Sequence, residues 1–216
     1  MEKPANTSLL LVEGKSEVTV IPRICQECGI PQNFDIESGK SLEQLKTAMK
    51  THLKSTNRYK KLWVVIDADT NANGAWESMK YILEKSGKYD FDRKMTLPVD
   101  GVVIPPRDPE DLTVGIWVMP DNSSNGMLED FMLSLVPKED TLLGEATSTV
   151  DRLHDERDRH NMIFKAAHKS KALIHTWLAW HDTPGESLSV AVTKHLFDTS
   201  HPLAGRFSAW LSRLNG

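Results

Sequence analysis

Residues 62–69 read LWVVIDAD, a run of five apolar residues that leads directly into two carboxylates. The run does not alternate apolar and polar residues, which indicates a β-strand buried on both faces. Residues 7–12 (TSLLLV) and 114–119 (VGIWVM) have the same character. Strands of this kind are typical of parallel sheets that helices cover on both sides.

Segments with helical periodicity separate these strands. We predict helices over residues 15–28, 41–54, 75–84 and 127–135, a weak strand over 33–37, and a long loop with one short strand over 88–111. The alternation of strand and helix predicts an α/β fold with a doubly wound, mostly parallel sheet flanked by helices.

The last third of the chain has a different pattern. From residue 147 onward it shows only helical periodicity, which predicts helices over 147–158, 163–179, 187–196 and 203–214. We therefore predict an α/β core at residues 1–140 and an all-helical extension at residues 141–216 that packs on the core. Trp177, Trp180 and Trp210 are expected to form the core of this extension against the sheet.

Length and charge limit the class of protein. The chain has 216 residues, with 26 Lys and Arg against 30 Asp and Glu, so its formal net charge is −4. This length is typical of one sizeable core with at most a small annex. The negative charge argues against a general nucleic-acid coat protein, which would need a basic excess. It leaves room for a nuclease whose acidic site is filled by metal.

Targeting signals are not evident. The N-terminal residues lack the apolar run of a signal peptide, and no stretch approaches 18 uninterrupted apolar residues, so we expect no membrane span. Cys25 and Cys28 form a lone CxxC pair, which we interpret as two small buried residues in a reducing compartment. These features favour a cytoplasmic location, and they do not predict the oligomeric state.

Carboxylates stand at the ends of all three apolar strands. Glu13 ends the first strand, Asp67 and Asp69 follow the second, and Asp121 follows the third. Because the carboxyl ends of neighbouring parallel strands form one ligand-binding crevice, we expect these acids to converge. Carboxylates that close repel one another and must take up protons or a cation. Oxygen ligands of this charge favour Mg²⁺ or Mn²⁺ over zinc.

Some of these acids also have a structural interpretation. Asp121 fits a turn former, and Asp67 and Asp69 could cap the helix that follows them. Glu13 offers no comparable turn chemistry. The segment Gly14-Lys15-Ser16 resembles the end of a phosphate-binding P-loop, but the glycine required five positions earlier is replaced by Leu9, so we reject a P-loop ATPase.

The motif Leu11-Val12-Glu13-Gly14-Lys15-Ser16-Glu17, followed by Val65-Ile66-Asp67-Ala68-Asp69, resembles the Toprim domain. It is most similar to the stand-alone Toprim proteins and to the Toprim module of the overcoming-lysogenization-defect (OLD) nucleases. The resemblance covers roughly residues 7–136 and implies a Toprim/Rossmann-like sheet. It also implies that the Glu-Gly-x-x-acid and Asp-x-Asp motifs supply metal ligands.

The third strand region extends the resemblance. Residues 115–122, followed by Leu128-Glu129-Asp130, are similar to an uncharacterised Toprim-like bacterial family. The acidic helix stands where OLD-type enzymes place a further metal-binding Glu. These enzymes also use a C-terminal Lys, for which Lys165, Lys169 and Lys171 are candidates and Lys171 is our choice. Unlike in the OLD nucleases, we expect no ATPase domain in these 216 residues.

The resemblance implies Mg²⁺- or Mn²⁺-dependent phosphodiester chemistry, as in a DNA nuclease or nicking enzyme. Glu13 and Lys171 are the expected catalytic residues, with Lys171 neutralising the phosphate. The expected metal ligands are Glu13, Glu17, Asp67, Asp69, Asp121, Glu129 and Asp130. Two alternatives stay open at this point. One is a non-catalytic module of the same fold that binds a nucleotide or a protein, and the other is primase-like nucleotidyl transfer.

Two basic patches could contact nucleic acid despite the net negative charge. The first comprises Lys54, Arg58, Lys60 and Lys61, together with Tyr59, and the second comprises Arg152, Arg157, Arg159, Lys165, Lys169 and Lys171. The alternative is that each patch is a solvated helix face. Acidic residues intermix with the second patch and could pair with it at i, i+4 spacing.

Overall fold

The computed structural model describes residues 6–55, 59–92, 94–156 and 164–215. Five strands form one sheet in the order β2-β1-β3-β5-β4. Their bounds are β1 Ser8–Val12, β2 Asp35–Ser38, β3 Lys61–Asp67, β4 Val102–Ile104 and β5 Thr113–Met119. All neighbouring pairs are parallel except β4 with β5. The predicted mostly parallel α/β fold is therefore confirmed.

Eight α-helices lie in the described residues. Their bounds are α1 Lys15–Glu27, α2 Leu42–Lys54, α3 Ala72–Ser86, α4 Leu128–Ser134, α5 Leu142–Asp155, α6 Lys169–Ala179, α7 Leu188–Thr193 and α8 Pro202–Ser212. None of them is long and apolar enough to span a membrane.

The first four helices lie where periodicity predicts them, within a few residues. The helix predicted over 147–158 begins earlier, at Leu142, and its predicted end at Asp158 lies outside the described residues. The helix predicted over 163–179 begins at Lys169 and follows a short 3₁₀ turn at Ala166–His168, so the prediction placed its start too early. The spacing of Ser41 and Gln44 is typical of a capping box, and in the structure the Ser41 side chain caps α2 by accepting a hydrogen bond from the Gln44 backbone N–H.

Each face of the sheet carries its own hydrophobic cluster, because successive strand residues point to opposite faces. Alternate residues such as Leu9 and Leu11 face α2 and α3, while Leu10 and Val12 face α1, α4 and the C-terminal helices. The continuously apolar strands are thus explained by helical cover on both sides.

The C-terminal helices belong to the same core as the sheet. Trp210 of α8 is fully buried, and its indole Nε1 donates to the Val102 carbonyl at 3.1 Å. The Trp63 indole in turn donates to the Trp210 carbonyl at 3.2 Å. A Cβ at Gly115 would come within 2.7 Å of the Trp63 ring, so only glycine leaves room for this packing. The cluster is therefore continuous across residue 140.

The three tryptophans expected in this core differ in their exposure to solvent. Trp177 and Trp210 are buried, as predicted, but Trp180 is 42% exposed. Trp180 follows the last residue of α6, where the helix ends, and this position places its ring at the surface. The prediction was therefore wrong for Trp180.

We expect Trp210→Ala to lower the free energy of unfolding by about 3–5 kcal/mol, because it opens a cavity and removes the buried hydrogen bond from the indole to Val102. Urea unfolding would measure this change. Trp180→Ala is the matched control, and it should change stability by no more than about 0.5 kcal/mol. Equal, small changes in both variants would contradict the shared core.

Candidate functional site

A cleft of about 180 Å³ opens at the carboxyl ends of the parallel strands. Four of the predicted site carboxylates line it, and they come from separate elements: Glu13, Glu17, Asp67 and Glu129. Three lysines also line it: Lys15, Lys40 and Lys171. The convergence of acids at this edge follows from parallel pairing of β1 with β3, which places Val12 opposite Val65.

Glu13 and Asp67 are held together by backbone groups. Glu13 follows β1 directly, and its Oε2 accepts a hydrogen bond from the Asp67 backbone N–H at 3.3 Å. Asp67 is the last residue of β3, and its Oδ1 accepts from the Leu128 N–H at 3.1 Å. These bonds connect the two strand ends to the first residue of α4.

Glu17 reaches the cleft from the first turn of α1. Its side chain is only 4% exposed, which is unusual for a carboxylate. A Cβ at position 14 would come within 2.8 Å of Glu17 Oε2, so Gly14 is what allows the carboxylate to fold back towards the strand end. The local spacing Glu-Gly-x-x-Glu thus brings two acids into one cleft.

Glu129 and Lys171 connect the cleft to the C-terminal helices. Glu129 lies in the first turn of α4 and is 3% exposed. Its Oε1 lies 3.2 Å from the Lys171 ammonium, which α6 supplies and which is half exposed. Of the three candidate C-terminal lysines, Lys171 is the one that lines the cleft.

Crowding changes the acidity of the cleft. Burial, followed by repulsion from Glu17, Glu13, Glu129 and Asp69, raises the pKa of Asp67 to about 8. An opposite charge in this position would favour the ionised form. The cleft therefore favours the binding of protons or of a cation.

The pKa values of Glu13 and Glu17 shift in the same direction as that of Asp67. Burial raises the pKa of Glu13, although the Asp67 N–H opposes the shift. Burial also raises the pKa of Glu17, and the charge of Glu129 adds to that effect. The cause is shared, since each carboxylate loses water and faces another negative charge.

Three of the predicted ligands, all within the described chain, do not line this cleft. Asp69 has a left-handed backbone (φ 49°) and pairs through its backbone with Gly126 in both directions at 2.8 Å. Its charge still acts on Asp67. Asp130 accepts from the Met127 N–H at 2.8 Å and from the Ser170 hydroxyl, so it caps α4.

Asp121 stabilises the turn after β5, as one interpretation of the sequence predicted. Its carboxylate accepts from the backbone N–H groups and the hydroxyls of Ser123 and Ser124. Partial burial alone would raise the pKa of Asp121, but these hydrogen bonds together lower it. A carboxylate with this many donors is already satisfied without a metal.

Neither Asp67 nor Asp69 caps α3, the helix that follows them. The N-cap of α3 is Asn71, whose side chain accepts from the Gly74 N–H at 2.8 Å. The Ala72 N–H donates to the Asn125 side chain at 3.0 Å. The helix is thus capped by amides, which leaves the Asp67 carboxylate in the cleft.

Lys15 and Lys40 also line the cleft, and neither was predicted as a site residue. Lys40 is exposed and has a left-handed backbone (φ 64°), which is strained for a residue other than glycine. It follows β2, so the rule applied to the other strands would have placed it at the same edge. The signal was missed because β2 was predicted only weakly, two residues before its observed start.

Two lysines of the first basic patch have partners within the protein. Lys60 forms an ion pair with Glu110 at 2.9 Å, and the Lys61 ammonium donates to the Arg213 carbonyl at 2.8 Å. Arg58 lies outside the described residues. These contacts favour the interpretation of Lys60 and Lys61 as part of a solvated surface, whereas Lys54 forms no ion pair with the described residues.

Two residues of the second patch pair with acids outside the cleft. Lys169 lies 2.6 Å from Asp151, and Arg152 lies 3.7 Å from Glu156 at the predicted i, i+4 spacing. Arg157 and Arg159 lie outside the described residues. Lys171 differs from the rest of its patch because its partner is a cleft carboxylate.

The donor set of the cleft fits a hard divalent cation, since it consists of carboxylates of which two are almost fully buried. Among the described residues, no group of three or more His, Cys, Asp or Glu side chains is arranged so that it could hold a metal ion. The case for a cation therefore depends on the crowding of negative charge.

Comparisons with known proteins identify the family of this chain. A search of curated proteins and a search of solved structures found no match to the chain. A family model described as Protein of unknown function (DUF3226) matches residues 7–216, which includes both the sheet and the C-terminal helices. The chain therefore belongs to the DUF3226 family.

Proposed function

We propose that this chain is a Toprim-like, Mg²⁺- or Mn²⁺-dependent enzyme that cleaves phosphodiester bonds in nucleic acid, with DNA nicking as the expected activity. The observation that carries the proposal is the cleft in which Glu13, Glu17, Asp67 and Glu129 crowd together beside lysines. The proposal includes a cytoplasmic location, which the two free cysteines favour.

The same four carboxylates would hold the metal ion. When bound, the ion would lower the pKa of a water molecule and stabilise negative charge on the phosphate. Asp67 is the expected central ligand, because four other acids raise its pKa and a cation would relieve that repulsion. Asp69 would contribute charge rather than a direct ligand, since it does not line the cleft.

The remaining residues of the cleft would bind and orient the substrate. Lys15 and Lys40 are exposed at its rim and would attract a phosphodiester. Lys171 would stabilise the charge that develops on the phosphate, although in the free protein it pairs with Glu129. Glu13 is held through Oε2 by the Asp67 N–H, and burial raises its pKa, which would make the carboxylate a stronger proton acceptor.

A second candidate function is a non-catalytic module that binds a nucleotide or a protein. The ion pair between Lys171 and Glu129 favours it, because the pair already neutralises one of the carboxylates. Primase-like nucleotidyl transfer would use the same acids. Incubation with supercoiled DNA and Mn²⁺, with and without nucleoside triphosphates, separates the three functions. Nicking supports the nuclease, and growth of a product supports nucleotidyl transfer. Metal binding with neither activity supports the non-catalytic module.

We expect Glu13→Gln to lower Mn²⁺-dependent nicking of supercoiled DNA by at least about 100-fold, because it removes a ligand and a proton acceptor together. The measurement is the rate of conversion to open circles on a gel. Glu110→Gln is the matched control, because that side chain is 85% exposed. Nicking that survives in Glu13→Gln would exclude this assignment.

Asp67→Asn tests the metal site without any substrate. At pH 9 in EDTA, the variant should melt at least about 2–4 °C above the wild type, because it removes the charge that its neighbours repel. The amide still offers an oxygen to the Leu128 N–H. Adding Mn²⁺ should raise the melting temperature of the wild type more than that of the variant.

Asp182→Asn serves as the control for this experiment, since Asp182 is 86% exposed. It should change neither the melting temperature nor the response to Mn²⁺. A wild-type protein whose melting temperature is insensitive to Mn²⁺ would remove the basis for a metal in this cleft.

Lys40 should show opposite effects on stability and activity. Replacing it with glycine relieves the left-handed strain and should stabilise the fold by up to about 1 kcal/mol, while the loss of charge should raise KM for DNA. Lys40→Arg keeps both the charge and the strain, so it should match the wild type in both assays. A Lys40→Gly variant with unchanged KM would show that Lys40 does not contact the substrate.

A further inference from the structure

A second concave surface lies between α2 and α3, on the sheet face away from α1. Its volume is about 350 Å³. We call it the α2–α3 groove and define it by Lys50, Lys54, Tyr81 and Lys85, which line it above the buried side chains of its floor. The residues are one helical turn apart on each helix, so both pairs point into the same space.

The α2–α3 groove is positively charged. In the described part of the chain, no carboxylate lines it, and Lys50, Lys54 and Lys85 form no ion pair. Lys88 lies at its edge and is already paired with Asp111 at 2.5 Å. The free charge of the groove therefore comes from three ammonium groups.

An aromatic ring lies beside these charges. Tyr81 is 57% exposed, which is high for a large aromatic side chain. The Lys85 ammonium lies 5.4 Å from the centre of the Tyr81 ring. Cationic groups and an accessible aromatic surface are thus presented together.

The α2–α3 groove is separate from the acidic cleft. Ser41, the N-cap of α2, lines the cleft, whereas Lys54 is the last residue of the helix. A helix of 13 residues is about 20 Å long, so the two sites lie at opposite ends of α2. A ligand in the groove does not compete with the cleft for the same groups.

We propose that the α2–α3 groove binds single-stranded nucleic acid. Lysines would contact the phosphate backbone, and Tyr81 would stack on a base, which is the combination that single-strand-binding grooves use. The net charge of −4 means that a polyanion gains nothing from the protein as a whole, so a local patch without carboxylates is needed to hold it. An acidic protein segment would match the lysines but would make no use of the exposed ring.

The test is the anisotropy of a fluorescent oligothymidylate with the full-length protein in EDTA, where a metal-dependent cleft is inactive. We expect the affinity to fall as the salt concentration rises. In the Lys50→Ala/Lys85→Ala variant, the slope of log affinity against log salt concentration should be shallower by about 1.4, because each of the two lost phosphate contacts contributes about 0.7. Tyr81→Leu should weaken binding at least about fivefold, and Tyr81→Phe should keep the wild-type affinity.

Arg23→Ala/Lys138→Ala is the matched control, because it removes the same charge from exposed residues outside the groove. It should leave the salt slope unchanged, and circular dichroism would verify that each variant is folded. An affinity that is equal in the groove variant and this control would overturn the proposal. The proposal would also be overturned if polyglutamate competed for the groove as well as single-stranded DNA does, or if duplex DNA bound as tightly as the single strand. These outcomes do not depend on nicking, so the groove and the cleft can fail separately.

Discussion

The parallel pairing of β1 with β3 is the constraint on which the site depends. It places Glu13 and Asp67 at one edge of the sheet, and covering helices then exclude water from them. Carboxylates in this position lose hydration and repel one another, which raises the pKa of Asp67 to about 8. The fold therefore maintains an unfavourable arrangement of charge that a cation would relieve.

The C-terminal helices complete the site as well as the core. The α6 helix supplies Lys171 to the buried Glu129, and Ser170 of the same helix donates to Asp130. Trp210 of α8 is hydrogen-bonded to Val102 and accepts from Trp63. Because the sheet and these helices share side-chain contacts in both places, the division at residue 140 describes the sequence pattern better than the packing.

The sequence predicts the strand-end acids well, since the rule for parallel sheets needs only strand positions. It does not distinguish Asp67 from Asp121, because the difference lies in which donors surround each carboxylate: Ser123 and Ser124 satisfy Asp121. Those contacts depend on the path of the loop. Lys40 was missed for a related reason, since a weak strand gives no firm end from which to count. The antiparallel direction of β4 likewise has no signal in a three-residue strand.

The distribution of charge matters more than its sum. The −4 of the whole chain combines a cleft that concentrates carboxylates with an α2–α3 groove that, in the described part of the chain, no carboxylate lines. A phosphate approaching the acidic cleft would be repelled unless a cation or the lysines at the rim compensated for that charge. A phosphate approaching the α2–α3 groove meets no such barrier. Under the two proposals, nucleic acid would bind without metal at one end of α2 and would depend on metal at the other.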